Sequence, residues 1–419
     1  MQNNKQKLKL DAKQIIDAGL KALNPKDIVK NIDFSKFNFK KYENIYLVGS
    51  GKGSSAIASE IIKKLPQIKE GLVIDIKDFT KKPTPRVGFS RLKIMIGTHP
   101  LPSEKNILAT KQIEKICQNA GKIPPLTRGG KNDLVIAIIC GGTSALLVDP
   151  VNSLIKTREI YDKMLKSGAS INEINTVRRH IDKIKNGGLA ELIKPANILS
   201  LYVSDVPDSN FSIFGSGPTY PDKTTNLDAQ KILKKYSIDG KIEFAKESNY
   251  NPKNDINLII AKNTLALSAM QKKAKTLGYK TIIGKNNYNE NISLILNDLI
   301  KKSKPSSALI AAGEANVNVA KDHGTGGRNT HMSALALKKI DSNTVFASIA
   351  SDGHDNAPCS GAIVNKSTLE KIKKENLDLE KYIEKFDTYT LFKKTDDLII
   401  TGKLPVNVSD IYLVLRNKS

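Results

Sequence analysis

Residues 311–329 read A-A-G-E-A-N-V-N-V-A-K-D-H-G-T-G-G-R-N, and this stretch joins a buried strand to a glycine-rich turn. The apolar residues 308–312 predict a strand, and the alternation over 317–319 predicts a second one. Three glycines in four positions then precede Arg328, and a helix pattern follows over 331–340. Uncovered backbone N–H groups beside an arginine at a helix start predict a phosphate or carboxylate pocket. A glycine-rich turn with a surface arginine is the simpler alternative.

The N-terminal half alternates strand and helix patterns. A helix is predicted over residues 8–23, and a strand, a glycine turn, a helix and another strand follow between 45 and 76. Further apolar runs predict strands at 93–96, 134–140 and 198–203. This alternation is typical of a parallel sheet with right-handed crossovers. The sequence therefore predicts an α/β chain whose first domain is Rossmann-like and doubly wound.

A polar, aperiodic stretch over residues 237–255 predicts a domain boundary. We divide the chain into an N-terminal domain, 1–245, and a smaller α/β C-terminal domain, 246–419, with the active site in the cleft between them. The second domain is expected to begin with a strand at 258–261. Its other strands are predicted at 280–283, 307–312, 345–351 and 411–415.

Composition excludes several classes of protein. No apolar run reaches the ~18 residues that a membrane span needs, and the N-terminal residues lack the apolar segment of a secretory signal. The three cysteines lack C-x-x-C spacing, which argues against disulfide or zinc frameworks and fits a reducing compartment. We therefore expect a cytoplasmic protein with no membrane partner. Cys140 ends a predicted buried strand and is expected to be an inert core thiol.

The net charge of +24 raises the question of a nucleic-acid partner. Only eight of the 66 basic residues are arginines, and the lysines are scattered along the chain. Aromatic residues make up 5% of the chain and do not interleave with basic clusters. We expect no nucleic-acid partner, although a basic nucleic-acid-binding protein remains an alternative. The scarce arginines Arg178, Arg179 and Arg328 lie in unusual local sequence, where a planar guanidinium is useful.

Strand ends carry the residues that are suited to chemistry. Five apolar runs end in small or acidic residues, at 49–54, 140–144, 204–207, 312–314 and 351–355. The carboxyl ends of parallel strands line the ligand crevice in α/β sheets. Together these loops supply a lysine, arginines and carboxylates, the set that phosphoryl transfer requires. Each loop alone is a weak signal.

These residues carry a resemblance to a known family. The chain resembles glycerate 2-kinase, with a Rossmann-like domain and a MOFRL-like C-terminal domain, through motifs that run in one order over nearly its whole length. They are G-S-G-K-G (49–53), C-G-G-T-S-A-L-L (140–147), N-T-V-R-R-H (175–180), K-N-G-G-L-A (185–190), S-D-V-P (204–207), G-S-G-P-T-Y-P-D (215–222), G-E-A-N-V-N-V (313–319), G-T-G-G-R-N (324–329), S-D-G-H-D (351–355) and T-G-K-L-P-V-N-V-S-D-I (401–411).

The resemblance implies transfer of the ATP γ-phosphate to the 2-hydroxyl of D-glycerate, giving 2-phosphoglycerate and ADP with Mg²⁺ or another divalent cation. In archaea this step serves non-phosphorylating Entner–Doudoroff sugar breakdown. The implied partners are these small molecules, and a homodimer is compatible with the sequence. The alternative enzyme class is a sugar-phosphate-binding, isomerase-like protein, because 49–55 also resembles sugar-phosphate loops. That alternative gives no role to 313–316 and 324–329.

The resemblance also implies roles for individual residues. Lys52 and Arg328 would be catalytic and neutralise the phosphoryl group, and Asp205 would bind Mg²⁺ or orient the hydroxyl. Asp352 is a second candidate metal ligand. The candidate substrate-binding residues are Arg179, Glu314 and Asn329, since only one of two adjacent helical arginines is expected to face the site. The candidate nucleotide- and phosphate-binding residues are Gly49, Ser50, Gly51, Gly141, Gly142, Thr143, Ser144, Ser216, Gly217, Thr219, Gly326 and Gly327.

Structural alternatives exist for each role. Lys52 could be a solvated turn lysine, Arg328 could pair with a structural carboxylate, and an aspartate after a strand often caps a helix. The five histidines lack metal-binding spacing and are expected to be structural. The chain departs from the family at three places: Asp208-Ser209 after S-D-V-P, Thr330-His331 where Gln-Glu is usual, and Asn356 where glycine is common.

Overall fold

A computed structural model describes residues 2–80, 91–122, 132–204, 210–319 and 321–417. The chain forms two compact units. The first, here called the parallel-sheet unit, comprises most of the residues from Val29 to Ile260. The second, the mixed-sheet unit, comprises Met1–Ile28 and Ala261–Ser419. In the described part of the chain, no helix has the length and apolar character needed to cross a membrane.

The parallel-sheet unit is built on six strands in the order β3-β2-β1-β4-β5-β6. They are β1 Tyr42–Ser50, β2 Ile68–Asp75, β3 Leu92–Ile96, β4 Asn132–Ile139, β5 Asn197–Val203 and β6 Ile256–Ala261. The pairings of β1 with β2 and β4, of β2 with β3 and of β4 with β5 are parallel. This strand order is that of a doubly wound Rossmann-type sheet, so the predicted fold class is confirmed.

Helices cover both faces of this sheet in the way that crossover connections require. They are α3 Ser54–Lys64, α4 Glu104–Gly121, α5 Thr143–Leu146, α6 Leu154–Lys166, α7 Ile171–His180, α8 Gly188–Ile193 and α9 Asn226–Lys235. Helix α2, Pro25–Lys30, begins in the mixed-sheet unit and ends in this one. The central strand β4 is buried from Asp133 to Ile139, because apolar β-branched residues pack against helices on both faces. Ser103 is the N-cap residue of α4, and its N–H and hydroxyl groups both donate to Asn106 Oδ1.

The mixed-sheet unit has six strands in the order β11-β10-β9-β12-β8-β7. They are β7 Lys280–Ile283, β8 Ser307–Gly313, β9 Thr344–Ala350, β10 Gly361–Val364, β11 Leu398–Ile399 and β12 Asp410–Arg416. Among the pairs of these six strands, β7 and β8 are parallel, and the other four pairs are antiparallel, including those of β12 with β8 and β9. The helices are α1 Gln2–Ala22, α10 Asn263–Thr276, α11 Ile292–Lys302, α12 Arg328–Leu337, α13 Lys366–Lys374, α14 Leu379–Glu384 and α15 Thr388–Thr395.

The division into units differs from the predicted boundary between 245 and 246. Helix α1 belongs to the mixed-sheet unit because Gly19 lets it approach Met270 closely and Asp11 accepts a hydrogen bond of 2.8 Å from the Tyr279 hydroxyl. Strand β6 was expected to begin the second domain. It instead forms the edge of the first sheet beside β5.

The prediction of a strand over residues 317–319 is wrong. Asn316 forms only an isolated bridge with Asn291, and Val319 is 43% exposed. Alternation of two valines therefore does not bury one face of a strand here. The helix predicted over 331–340 begins three residues earlier, at Arg328, so the arginine is its first residue.

Candidate active site

The loop after β1 fixes the backbone of Lys52. Gly51 has φ +110°, and a Cβ atom at this position would lie 2.5 Å from the carbonyl oxygen of Cys140. The Lys52 N–H then donates to the carbonyl oxygen of Gly141 at 2.8 Å. Among the residues that the structure describes, no carboxylate lies within ion-pair distance of the Lys52 ammonium group. The loop thus presents a fixed, half-buried lysine.

The N-terminus of α3 is closed by a carboxylate of the chain itself. Asp75, at the end of β2, accepts from the N–H groups of Gly53 at 3.2 Å and Ser55 at 3.0 Å, and from the Ser55 hydroxyl at 2.7 Å. Burial raises the pKa of Asp75, and these hydrogen bonds oppose that shift. A ligand phosphate therefore does not find this helix end open, in contrast to the usual glycine-loop site.

The predicted loop 141–144 adjoins Lys52 on one side and a group of hydroxyls on the other. A Cβ atom on Gly142 would lie 3.0 Å from the His99 ring and 3.7 Å from Lys52 Cγ. The Ser216 hydroxyl donates to Ser144 Oγ at 3.1 Å and approaches Asn175 Oδ1 at 3.4 Å. The structure therefore brings the predicted residues of 52, 141–144 and 216 together within one unit.

The turn over 215–217 holds Ser216 in an uncommon conformation. Gly215, Ser216 and Gly217 have φ values of +60°, +65° and +67°. The left-handed region is unfavourable for serine, and such strain is concentrated at functional sites. Backbone hydrogen bonds from Asn186 to the Ser216 carbonyl oxygen and from Gly187 to the Gly217 carbonyl oxygen hold the turn.

The adjacent arginines of α7 face different surroundings, as residues about 100° apart on a helix must. Arg179, which we predicted to bind substrate, forms an ion pair with Asp222 and donates to the Ser212 carbonyl oxygen at 3.1 Å. These contacts engage it within the fold. Arg178 is also buried, and within the described ranges no carboxylate pairs with it; the Nε atoms of both arginines lack a hydrogen-bond partner.

His99 was expected to be structural and is part of this loop group. Desolvation and the charges of Lys52 and Arg178 together lower the pKa of His99 to about 4. The imidazole is therefore neutral near pH 7. The sequence signal that could have placed it here is its position in G-T-H-P, directly after the carboxyl end of β3.

The second group of predicted residues lines a cavity of about 700 Å³ in the mixed-sheet unit. Arg328 lies on its wall, with its Nε donating to Asp410 and its Nη2 donating to Glu314 at 3.1 Å. Arg328 therefore has the carboxylate partners that the structural alternative expects, and its side chain is still 34% exposed. Burial alone would lower the pKa of Arg328, but Asp410 and Glu314 outweigh that effect and raise it.

Asp410 is a buried carboxyl group, and burial raises its pKa to about 7 despite the attraction of Arg328. Asp352 and Asp355 also line the cavity. One arginine is thus surrounded by several carboxylates, so this cavity differs in charge from the surroundings of Lys52.

The glycines before α12 serve close packing. Cβ atoms on Gly324 and Gly327 would lie 2.4 Å from Asp387 Cβ and 2.1 Å from the Asp355 carbonyl oxygen. Two of the three glycine N–H groups that we predicted to be uncovered have acceptors: Gly324 donates to the Lys385 carbonyl oxygen at 2.7 Å, and Gly327 donates to Thr330 Oγ1 at 3.0 Å. Phosphate binding by Gly326 and Gly327 stays a prediction.

Asp355 closes the N-terminus of α12. Its carboxylate accepts from the N–H groups of Asn329 at 2.9 Å and Thr330 at 2.8 Å, and from the Thr330 hydroxyl at 2.9 Å. Thr330, one of the departures from the family, thus completes a cap. His331 stacks on Phe386 with ring centroids 4.1 Å apart, and burial lowers its pKa to about 4.

Other predicted site residues pack closely or form hydrogen bonds within the protein. Gly49 lies inside β1, where a Cβ atom would lie 2.9 Å from Ile138 Cβ. The Thr143 hydroxyl donates to the Ser50 carbonyl oxygen at 2.7 Å, and Thr219 is hydrogen-bonded to Ser200 and Tyr202. Asn329 contacts the cavity, although its side chain is bonded to Asp355 and Ser348. Ser50 and Thr219 are fully buried.

The cavity carboxylates fit a Mg²⁺ ion that is coordinated mainly by substrate phosphates. Within the described ranges, no cluster of three or more His, Cys, Asp or Glu side chains could hold a metal ion. Asp352 lines the cavity and accepts from the His354 N–H at 3.1 Å. Mg²⁺ commonly takes one or two protein carboxylates together with substrate phosphates, and Asp352 fits that pattern. Asp205, the other predicted metal ligand, lies outside the described residues.

Comparison with known proteins covers nearly the whole chain. Residues 11–247 match the family described as a domain of unknown function, DUF4147, and residues 307–410 match the MOFRL family. Glycerate 2-kinase from Pyrococcus horikoshii is 31% identical over 88% of this chain and 87% of its own. A putative hydroxypyruvate reductase from Agrobacterium vitis is 31% identical over 96% of this chain and 93% of its own. The crystal structure of glycerate kinase from Thermotoga maritima matches with a TM-score of 0.84 and 28% identity, covering 98% of this chain and 100% of that one.

Proposed function

The chain belongs to the glycerate 2-kinase family, and on this premise we propose that it transfers the γ-phosphoryl group of ATP to the 2-hydroxyl of D-glycerate. The products are ADP and 2-phosphoglycerate. The observation that carries this proposal is similarity to a glycerate 2-kinase over 88% of the chain. The fixed lysine after β1 and the arginine of the acidic cavity supply the cationic groups that such a transfer needs.

In this reaction the 2-hydroxyl oxygen forms a bond to the γ-phosphorus while the bond to the bridging β–γ oxygen breaks. We propose that Lys52 and Arg328 stabilise the negative charge on the phosphoryl oxygens during this exchange. Arg328 is oriented by Asp410 and Glu314, which leaves part of its guanidinium exposed at the cavity wall. Ser144 and Ser216 are proposed to donate hydrogen bonds to an anionic substrate.

We propose Asp352 as the carboxylate that holds Mg²⁺ with the nucleotide, and Asp205 as a second one. Bound Mg²⁺ would neutralise phosphate charge. Thr330 and Asn329 support the site through the cap on α12.

We also propose the finer assignments that the family resemblance implies: a cytoplasmic enzyme of non-phosphorylating Entner–Doudoroff sugar breakdown that acts on small molecules. The three cysteines are free and buried, which fits this compartment. A homodimer stays a prediction, which light scattering of the purified protein would test.

The test is a coupled assay with ATP, Mg²⁺ and D-glycerate that resolves 2-phosphoglycerate from 3-phosphoglycerate. We expect ADP release that depends on glycerate, with 2-phosphoglycerate as product. A parallel arm with hydroxypyruvate and NADH or NADPH tests the reduction named for one relative, and a duplex DNA or RNA titration tests the nucleic-acid alternative. Absence of glycerate-dependent ADP release would refute the kinase proposal.

A further inference from the structure

Helix α7 carries one arginine that has an anionic partner and one that has none among the described residues. Arg179 has Asp222 and the Ser212 carbonyl oxygen as partners. Arg178 is 9% exposed, and its guanidinium lies 4.8 Å from the centroid of the Tyr161 ring. The Nε atoms of both arginines lack a hydrogen-bond acceptor, so the two differ in their anionic partners. In the described ranges of the chain, no carboxylate lies within ion-pair distance of Arg178.

The surroundings of Arg178 hold further groups that bind anions. Asn175 precedes it by three residues, which places both on the same face of α7. Asn175 contacts the Ser216 hydroxyl, which donates to Ser144. Contacting hydroxyl and amide groups therefore connect Asn175, on the helix face that it shares with Arg178, to the loop 141–144 beside Lys52.

Other cations lie within electrostatic reach of this arginine. Lys185 is buried, donates to the Leu147 carbonyl oxygen at 2.7 Å and lies 3.8 Å from Asp182 Oδ2. Burial lowers the pKa of Lys185 to about 8; Asp182 opposes this shift, and Arg178 adds to it. The charges of Lys52 and Arg178 both lower the pKa of His99.

A buried guanidinium without an anion is costly, because desolvation of a charge is repaid only by a partner of opposite charge. Tyr161 offers Arg178 a ring face, which compensates for only a small part of this cost. Nearby Lys185 adds repulsion. An oxyanion that binds beside Arg178 would remove both penalties, whereas Arg179 has its carboxylate already.

We propose that Arg178, and not Arg179, is the substrate-binding arginine of α7, and that it binds an oxyanion together with the hydroxyls of Ser144 and Ser216. The oxyanion is a carboxylate or phosphate group of the substrates, so this inference rests on the proposed function and specifies its anion site. A planar guanidinium binds either group through two parallel hydrogen bonds.

The experiment compares Arg178→Met and Arg178→Lys with the matched variants Arg179→Met and Arg179→Lys in the full-length protein. We expect both Arg178 variants to raise the KM of D-glycerate or of ATP by about 10-fold or more, the scale of a lost charge-assisted hydrogen bond. The melting temperature of Arg178→Met should equal or exceed that of the wild type, because a buried unpaired charge is removed. Arg179→Met should lower the melting temperature, because it leaves Asp222 unpaired.

KM is measured with D-glycerate varied and with ATP varied. A higher KM for D-glycerate indicates that Arg178 binds a carboxylate, and a higher KM for ATP indicates that it binds a phosphate. KM values for both substrates within about twofold of wild type in Arg178→Met would overturn the inference. So would a fall in melting temperature equal to that of Arg179→Met, which would indicate a structural role.

A binding measurement separates this inference from the kinase proposal. Saturating D-glycerate or ATP should raise the melting temperature of the wild type and of Arg179→Lys, and should do so much less for Arg178→Met. If the wild type lacks kinase activity but shows this pattern, the anion site stands and the proposed reaction fails. If neither ligand stabilises the wild type, the anion site fails as well.

Discussion

The loop that precedes α3 and the loop that precedes α12 have similar sequences and similar caps, yet they hold their cations differently. Each combines several glycines with one basic residue, and each helix end is closed by a buried aspartate that follows a strand, Asp75 or Asp355. Lys52 has no carboxylate partner among the described residues, whereas Arg328 lies between Asp410 and Glu314. The glycines of both loops position a side-chain cation, and the helix N-termini are not open to phosphate.

The largest expected effect is the loss of kcat when either Lys52 or Arg328 is removed. We predict that Lys52→Ala and Arg328→Ala each lower kcat by about 10² or more, the magnitude of a lost transition-state donor. If both residues act on the same phosphoryl group, the double variant should lose less than the product of the two factors. Steady-state kinetics of the three variants measures this. Near-normal turnover of either single variant would remove that residue from the catalytic set.

Stability should distinguish the same two variants. Arg328→Ala leaves the buried carboxyl group of Asp410 without its partner and should lower the free energy of unfolding by up to about 3–5 kcal/mol. Lys52→Ala removes no ion pair that the structure describes and should change the free energy by less than about 1 kcal/mol. Urea denaturation of both variants gives the comparison, and equal losses would contradict it.

The two caps provide the next test. We predict that Asp75→Ala and Asp355→Ala each lower the free energy of unfolding by about 2–4 kcal/mol, because each leaves buried N–H groups without an acceptor. The opened helix end is an anion site, so sulfate should stabilise each variant more than the wild type when sodium chloride of equal ionic strength is the control. A sulfate effect equal to that of the wild type would show that the carboxylate does not block an anion site.

Sequence alone predicted the doubly wound sheet apart from the assignment of β6, because its strands contain apolar runs and are followed by glycine or small polar residues. It placed the loops 49–54, 140–144 and 351–355 correctly at strand ends. It missed β10 and β11 in the second sheet, because they are only four and two residues long, and it gave no strand directions there. It also could not assign α1, whose partner Met270 is remote in sequence.

The site shows the same limit. Arg178 and Arg179 are adjacent in sequence. Which of them is free to bind a substrate anion depends on Asp222, some 40 positions away, which pairs with Arg179. The glycines of 324–327 suggested uncovered amides, but the acceptors Asp387, Lys385 and Asp355 come from distant segments. The spacing of residues in a motif predicts the local backbone conformation. Whether a polar group is free to bind a ligand depends on partners that are distant in sequence and meet it only in the folded chain.

A smaller, pH-dependent effect tests the acidic surroundings of Arg328. The pKa of Asp410 is about 7 in the folded protein and about 3.9 when unfolded, so the folded state binds the additional proton between these values. This group therefore destabilises the fold progressively as pH rises from about 4 to 7. We predict that the unfolding free energy of Asp410→Asn, minus that of the wild type, increases over this range and is constant above it.

Urea denaturation at several pH values measures that difference. Glu314→Gln is the matched control, since it removes the exposed partner of the same arginine, and exposed ion pairs contribute about 0–1 kcal/mol. A flat difference for Asp410→Asn between pH 4 and 7 would mean that Asp410 is ionised throughout and that Arg328 outweighs burial.

The smallest effect concerns Asn356, where the family commonly has glycine. Asn356 has φ +51°, in the left-handed region that asparagine tolerates better than other side chains do. We predict that Asn356→Gly changes the free energy of unfolding by less than about 0.5 kcal/mol, whereas Asn356→Ala lowers it by about 1 kcal/mol. Gly142, at φ +85° in the other unit, is the matched position: Gly142→Ala should cost more, because its Cβ atom would also lie 3.0 Å from the His99 ring. If Asn356→Gly instead changes the KM of glycerate while stability stays constant, the asparagine side chain acts on the substrate, and backbone conformation does not account for this departure from the family.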